Sequence, residues 1–329
     1  MSDLESTIVL KLRAADRYVT REELGAASGA DTARLAAALD ALRSRGYRID
    51  EVPGEGCRLV WSPDLVGTAE IEAALRGQGR GSEFGCQVHC SATLDSTNDL
   101  AAVLARDGAA EGTLVVADRQ ARGRGRLGRG WESRPGLGLW FSLILRPDIQ
   151  ASRSCLISLV AALGIALRLR EDYGINAVVK WPNDVLVGGG KICGILTESE
   201  FVGDRVRFVV LGVGLNVLHT RSDFSPDLRG RATSMRMATG RPERRAEALA
   251  SVLRGIEEKY RAFLAAGFGD LRRELLLLSP LVGRQARVST GRGDLEGTVV
   301  DIDDDGALVL RGEGGGRTRV LAGDVTQTA

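Results

Sequence analysis

The chain has 329 residues, with 44 Lys and Arg against 43 Asp and Glu, a formal charge of +1. That length fits two domains or three small ones, and a near-neutral chain sets up no global field for nucleic acid or a membrane surface. With 44% hydrophobic and 26% charged residues it is not a disordered chain, and no apolar run reaches the roughly 18 residues that span a bilayer.

The first 60 residues read as helices followed by a hairpin. Leu4, Ile8 and Leu12 recur at helical spacing. Thr20 to Glu23 has the form of a capping box. Asp31 caps a third helix with Leu35, Ala38, Leu39 and Leu42 on one face, and Gly46 follows it as a stop. Residues 47–52 and 57–61 make two strands around Pro-Gly-Glu-Gly. Three helices plus a hairpin is the layout of a winged helix-turn-helix. Ser62-Pro-Asp opens a linker, with a short helix at 68–76 and a glycine-rich break from Gly77 to Ser82.

The middle of the chain mixes both element types. Strands are expected at 86–94, 113–116, 138–145, 178–180, 185–187, 192–198 and 206–216. Helices are expected at 96–106, 152–172 and 246–264. Beyond Pro280, short β runs separated by Gly and Asp predict a small five-stranded barrel, with Gly312–Gly316 at a hairpin tip.

Cys57, Cys86, Cys90, Cys155 and Cys193 are odd in number and lack a C-x-x-C pair. They read as reduced thiols of a cytoplasmic protein, and the N-terminus has no secretory signal pattern. Cys86, His89 and Cys90 do not make a metal site: alternation puts His89 on the opposite face, and no second ligand pair exists. His89 and His219 are assigned no role.

Three segments carry chemistry. The densest runs from Asp118 to Arg134, with six Arg against one Asp and one Glu, a net +4. Gly123, Gly125 and Gly128 match G-x-G-x-x-G, but a strand rather than a helix follows, so a dinucleotide fingerprint is rejected. What remains is a loop whose backbone N–H groups and guanidiniums hold anions; a solvated basic loop or an RNA-binding tract has the same composition. The second segment is Lys180-Trp-Pro-Asn-Asp184 followed by Gly188-Gly-Gly-Lys191. It holds two of the chain's four lysines. Pro182 breaks the strand and exposes Asn183 and Asp184, an amide and a carboxylate suited to Mg²⁺ and phosphate. The glycine turn returns Lys191 beside them. The third is Asp95-Ser-Thr-Asn98, where Ser96 with Asp99 forms a capping box and Ser96, Thr97 and Asn98 offer neutral donors and acceptors.

In this order, and together with Gly194-Ile-Leu and Gly212-Val-Gly-Leu-Asn216, these segments resemble biotin protein ligase (biotin–[acetyl-CoA-carboxylase] ligase) over nearly the whole chain. The layout is similar to the bifunctional ligase/biotin operon repressor form. The resemblance implies an α+β multidomain fold: an N-terminal winged helix-turn-helix at 1–64, a central α/β catalytic domain with a mixed sheet at 65–278 (linker 65–82), and a C-terminal SH3-like β-barrel at 279–329. It implies biotin, ATP and Mg²⁺ as ligands, biotinyl-5′-AMP as intermediate, and a lysine of the biotin carboxyl carrier protein of acetyl-CoA carboxylase as acceptor.

The resemblance also implies roles. Ser96, Thr97, Asn98 and Gln120 would bind the biotin ureido ring. Arg124, Gly125 and Arg126 would fold over biotin and its activated carboxylate. Arg129, Trp131, Asn183 and Asn216 would serve the nucleotide, with Asp184 the Mg²⁺ ligand. Lys191 would bind biotin and stabilise charge in the transition state, alongside Arg124, Arg126 and Asp184. A lipoate-type protein ligase and a DNA-binding biotin sensor without ligase activity are the alternatives. A homodimer is expected. Arg34 and Arg43 are the candidates for operator DNA, but the third helix has few side chains able to reach base edges. Residues 1–64 carry nine Lys and Arg against eleven Asp and Glu, a net −2, where DNA-docking domains are basic. A structural or regulatory appendage is the competing reading.

Overall fold

The computed structural model describes residues 2–77, 83–291 and 293–327, with Gln327 described in its backbone alone. Of the expected glycine-rich break from Gly77 to Ser82, Gly77 is the last residue of a helix and 78–82 lie outside the described residues. The chain divides into two compact units, Met1–Gly81 with Arg244–Ala250, and Ser82–Glu243 with Ser251–Ala329.

The first unit holds α1 (Asp3–Arg13), α2 (Arg21–Ser28), α3 (Thr32–Ser44), β1 (Arg48–Val52), β2 (Gly56–Trp61) and α4 (Thr68–Gly77). Ser2 and Thr20 close capping boxes with Glu5 and Glu23, and Asp31 caps α3 through Arg34 N–H. These local signals fix where each helix starts. Ile8, Leu12, Leu24, Leu35, Leu39 and Leu42 form one buried core. β1 and β2 pair antiparallel. Arg245 is buried and pairs with Asp64 at 2.8 Å. Glu70 is also buried, and accepts from Tyr47 Oη.

The second unit is built on β3 (Val88–Leu94), α5 (Thr97–Arg106), β4 (Leu114–Gln120), β5 (Gly138–Leu145), α6 (Leu156–Tyr173), β6 (Ala177–Lys180), β7 (Asp184–Val187), β8 (Gly190–Val202) and β9 (Arg205–Asn216). α7 (Met235–Thr239), α8 (Arg245–Ala266, of which Arg245–Ala250 count with the first unit) and α9 (Gly269–Leu277) follow; no element was expected from sequence at α7 or α9. The seven strands form one sheet in the order β3-β4-β5-β9-β8-β7-β6. Only β3 and β4 are parallel, so the sheet is mixed. β5 is buried at all eight positions, as its largely apolar sequence requires, with Ser142 the one hydroxyl in it.

Residues 151–173 are long and apolar enough to cross a membrane, although no such run was expected. Here they serve the core: every residue from Leu156 to Ala166 is buried. Gly164 meets Gly255 of α8 so closely that a Cβ at Gly164 would lie 2.2 Å from the Gly255 carbonyl oxygen.

The C-terminal strands β10 (Gln285–Thr290), β11 (Gly293–Ile302), β12 (Leu308–Arg311), β13 (Arg317–Val320) and β14 (Asp324–Gln327) form an antiparallel sheet ordered β13-β12-β11-β10-β14. The expected closed barrel is not formed among the described residues. β13 and β14 are the two edges and share no ladder: β13 pairs with β12 alone and β14 with β10 alone.

Candidate active site

β9 and β8 set the floor of a cleft of about 760 Å³ in the second unit. Three glycines make it. A Cβ at Gly212 would lie 2.1 Å from Asn98 Oδ1, and at Gly214 2.5 Å from the Trp131 indole. At Gly194 it would lie 2.7 Å from the same indole. The Gly-rich spacing on these strands is thus the space that Asn98 and Trp131 occupy.

A neutral hydrogen-bond network closes one end. Thr97 N–H and Oγ1–H donate to Gln120 Oε1 at 2.8 and 3.1 Å, and Gln120 Nε2 donates to Ser133 Oγ at 2.9 Å. Ser142 donates to Asn98 Oδ1 at 2.6 Å and lies 2.7 Å from Thr97 Oγ1. Asn98 Nδ2 donates to Glu198 at 2.6 Å. Ser96, Thr97 and Asn98 are buried. Ser96 is the N-cap of α5, but the expected capping box is absent: its side chain makes no cap bond, and Asp99 turns to Arg124. Ser96 is among the residues that line the cleft.

The Arg/Gly loop is folded back on itself. Gly125 N–H donates to the Arg129 carbonyl at 2.7 Å, Trp131 N–H to the Gly123 carbonyl at 2.9 Å. Leu127, exposed, takes a φ of 56°, the one non-glycine in the left-handed region among the described residues. Each arginine is engaged. Arg124 pairs with Asp99 at 2.5 Å and Glu198 at 3.2 Å. Those partners raise its guanidinium pKa, and Arg124 in turn holds the Asp99 carboxyl below its usual range. Arg126 reaches Asn183 Oδ1 and the Gly323 carbonyl, both at 3.4 Å. Arg129 pairs with Asp324.

Between loop and floor, Lys191 Nζ lies 2.6 Å from Asp184 Oδ1 and 5.2 Å from the Trp131 ring centroid. Asn183 Nδ2 donates to the Ile195 carbonyl at 2.5 Å, and Asn216 Nδ2 to the Thr233 carbonyl at 3.0 Å. Segment 231–233 pins the Lys191 backbone: its N–H donates to Arg231 at 2.8 Å, its carbonyl accepts from Thr233 at 3.0 Å. Beyond Asn216 a run of rings closes the other end. Trp131 meets Trp140 edge-on, Trp140 meets His219, and His219 stacks on Phe224 at 4.8 Å and 10°.

Among the described residues no group of three His, Cys, Asp or Glu is placed to hold a metal. Asp184 Oδ1 is buried, ion-paired with Lys191 but without a directed hydrogen bond. One carboxylate beside an amide fits Mg²⁺ held mostly by phosphate oxygens and water.

The cleft gathers Ser96, Thr97, Asn98, Gln120, Arg124, Gly125, Arg126, Arg129, Trp131, Asn183, Asp184, Lys191 and Asn216, thirteen positions singled out from sequence. Arg34 and Arg43 belong to the first unit. Arg34 is exposed, while Arg43 is tied to Glu51 and Asp40.

Two family models match, the biotin/lipoate A/B protein ligase family over residues 91–216 and the biotin protein ligase C-terminal domain over residues 281–326. The bifunctional ligase/repressor BirA of Bacillus subtilis is 35% identical over 92% of this chain and 92% of its own length. The chain belongs to the biotin protein ligase family. The biotin–[acetyl-CoA-carboxylase] ligase of Paracoccus denitrificans is 35% identical over 68% of this chain and 94% of its own. Among solved structures, the ligase of Aquifex aeolicus in complex with biotin and ATP is 29% identical, with a TM-score of 0.63, over 74% of this chain and 99% of that one.

Several residues of this ligase site escaped the sequence reading. Glu198 and Asp324 reach Arg124 and Arg129 across 74 and 195 positions, and no motif marks them. Ser142 had a faint signal, a hydroxyl inside the apolar run of β5. His219 had another, as one of only two histidines, three residues past Asn216.

Proposed function

We propose that this chain is an ATP-dependent biotin–protein ligase. It forms biotinyl-5′-AMP and transfers biotin to a lysine of the biotin carboxyl carrier protein of acetyl-CoA carboxylase. The observation that carries the reading is the single cleft joining a neutral hydrogen-bond network, a set of cations around Lys191, and an aromatic end.

Each part answers one requirement of the reaction. The Ser96, Thr97, Asn98 and Gln120 groups suit a polar uncharged ring such as a cyclic urea, which offers N–H donors and a carbonyl acceptor. The biotin carboxylate oxygen attacks the α-phosphorus of ATP. A C–O–P linkage forms, the bond to the β-phosphate oxygen breaks, and pyrophosphate leaves. Two anions must meet, so Lys191, Arg124 and Arg126 neutralise charge where it builds up. Lys191 is already placed among anions by Asp184, which it exchanges for the ligand. Arg129, Trp131, Asn183 and Asn216 face the nucleotide. Asp184 would hold Mg²⁺, which would supply further charge neutralisation. The Arg/Gly loop folds over the mixed anhydride and excludes water. The acceptor lysine amine then attacks the acyl carbon, the C–O bond to the phosphate breaks with its electron pair going to AMP, which leaves, and the amine sheds its proton as the amide forms.

We also read the first unit as a winged helix-turn-helix within residues 1–64, followed by a catalytic domain to 278 and an SH3-like domain at 279–329. The names of the BirA relatives support a repressor role. The net charge of −2 and the tethering of Arg43 argue for a regulatory appendage. A gel shift on the biotin-gene promoter with biotin and ATP separates the two, and sedimentation with both ligands tests for a homodimer.

Transfer of radiolabelled biotin, against lipoate, onto a carrier domain tests the main proposal. Biotin labelling is expected. Lipoate labelling alone, or none, overturns it.

A further inference from the structure

The cleft is longer than one ligand end. β9 runs beneath it from Gly212, under Asn98, to Asn216, a span of about 14 Å at strand rise. His219 lies past that end, buried at 3% exposure and lining the cleft. It sits in a cluster of rings, edge-on to Trp140 and stacked on Phe224. A phenylalanine there would satisfy the packing. Instead the chain keeps an imidazole whose Nδ1 is buried with no hydrogen-bond partner. Asp223, Arg134 and Glu132 are the charged groups nearest it, and none bonds the ring. The Ser234 hydroxyl bonds the His219 carbonyl, not the imidazole.

An unpartnered buried nitrogen costs about 1–3 kcal/mol, so its retention calls for a ligand. A second ring nitrogen in the same cluster, Trp131 Nε1, is also buried and unpartnered. Burial holds the imidazole neutral, with its pKa down at about 4, so it meets a ligand as a hydrogen-bonding group and not as a cation. Both nitrogens lie in the planes of aromatic rings. A flat heteroaromatic ligand with donors and acceptors along its edge satisfies them, and a nucleobase is such a ligand.

We propose that His219 reads the base of the nucleotide: Nδ1 makes an in-plane hydrogen bond to the base edge, and the stack on Phe224 fixes the imidazole for it. With Nδ1 as the acceptor it takes a hydrogen from the adenine 6-amino group, where guanine presents a carbonyl oxygen, so His219 is a specificity-determining residue for adenine over guanine. The proposal rests on the ATP-dependent ligase reading above.

The test measures biotin-dependent ATP/pyrophosphate exchange for the full chain and for His219→Phe and His219→Gln, with ATP and GTP, alongside Tm. Phe keeps the ring and loses the nitrogen; Gln restores a hydrogen-bonding group. The expected result for His219→Phe is an ATP KM raised about tenfold, an ATP-over-GTP preference reduced by a similar factor, and a biotin KM moved less than twofold. His219→Gln recovers part of the ATP loss. A structural role would move both KM values and Tm together. An ATP KM within twofold in His219→Phe, or an equal rise in biotin KM, overturns the proposal. If His219→Phe does not fold, His219→Gln decides alone: a reduced ATP-over-GTP preference with biotin KM within twofold sustains the proposal, and an unchanged preference with an unchanged ATP KM overturns it. If the unaltered chain shows no exchange, the ligase reading itself has failed, which is a separate result.

Discussion

Replacing Gly212 by Ala would place a methyl carbon 2.1 Å from Asn98 Oδ1, 2.9 Å from its Cγ and 3.0 Å from its Nδ2. Asn98 must leave its position, because β9 is fixed by ladders on both sides. Leaving breaks two bonds: the one from Ser142, neutral and worth about 1 kcal/mol, and the charge-assisted one to Glu198. Glu198 is 41% exposed, so its bond is set at the low end, about 1.5 kcal/mol. The total is about 2.5 kcal/mol, or roughly 60-fold. It divides between folding stability and biotin affinity, since the displaced amide both loses its partners and enters the cleft. The assay pairs urea denaturation with biotin KM in ATP/pyrophosphate exchange, and the two losses together should approach that figure. A Gly212→Ala protein with unchanged midpoint and biotin KM within twofold would refute the claim that these glycines exist to seat Asn98.

Further outcomes follow from the same contacts. Lys191→Ala should abolish biotin-dependent ATP/pyrophosphate exchange, because it removes the cation proposed to stabilise the reacting groups and strands Asp184; a near-normal rate sinks the assignment. Gly164→Ala drives a Cβ into the Gly255 carbonyl and should part α6 from α8. The expected loss is about 3 kcal/mol and ~5–10 °C in Tm, checked by calorimetry. Stability should also depend on pH through His219. Its folded pKa of about 4 lies below the unfolded value of about 6.5. The contribution is therefore complete above pH ~6.5 and drains away as pH falls towards 4, by about 2 kcal/mol at pH 5. His219→Phe should flatten that slope between pH 7 and 5; parallel urea midpoints in the two proteins would contradict it.

What could be read from the residues was whatever local chemistry determines. The capping box at Thr20, the N-cap at Asp31, the strand at 138–145, and the return of Lys191 through a glycine turn were all legible, because each depends on neighbours in sequence. The thirteen cleft positions were legible as motifs for the same reason. Partnership across the chain was not. Asp99 looked like a cap for Ser96 and turned out to belong to Arg124, which no spacing rule could reveal. The C-terminal strands were recognisable individually, but whether β13 and β14 close on one another depends on how the whole sheet curves, and that is a tertiary matter. His219 was passed over because an isolated histidine carries no pattern; its significance lies in the absence of a partner, which only packing exposes.

The pairing of the cleft's cations has a consequence for selectivity. Arg124, Lys191 and Arg129 are each neutralised by a carboxylate of the same chain: Asp99 with Glu198, Asp184, and Asp324. The resting cleft is its own counterion. A stray phosphate or acetate must outcompete acids that are tethered beside their partners at an effective concentration of order millimolar or more. Such ions gain little by entering, since they trade one anion for another. A ligand anchored elsewhere, by the network around Asn98 or by the rings around His219, arrives with its charge already held in place and wins the exchange. Selectivity against the abundant small anions around it is thus carried by acids that need never touch the product.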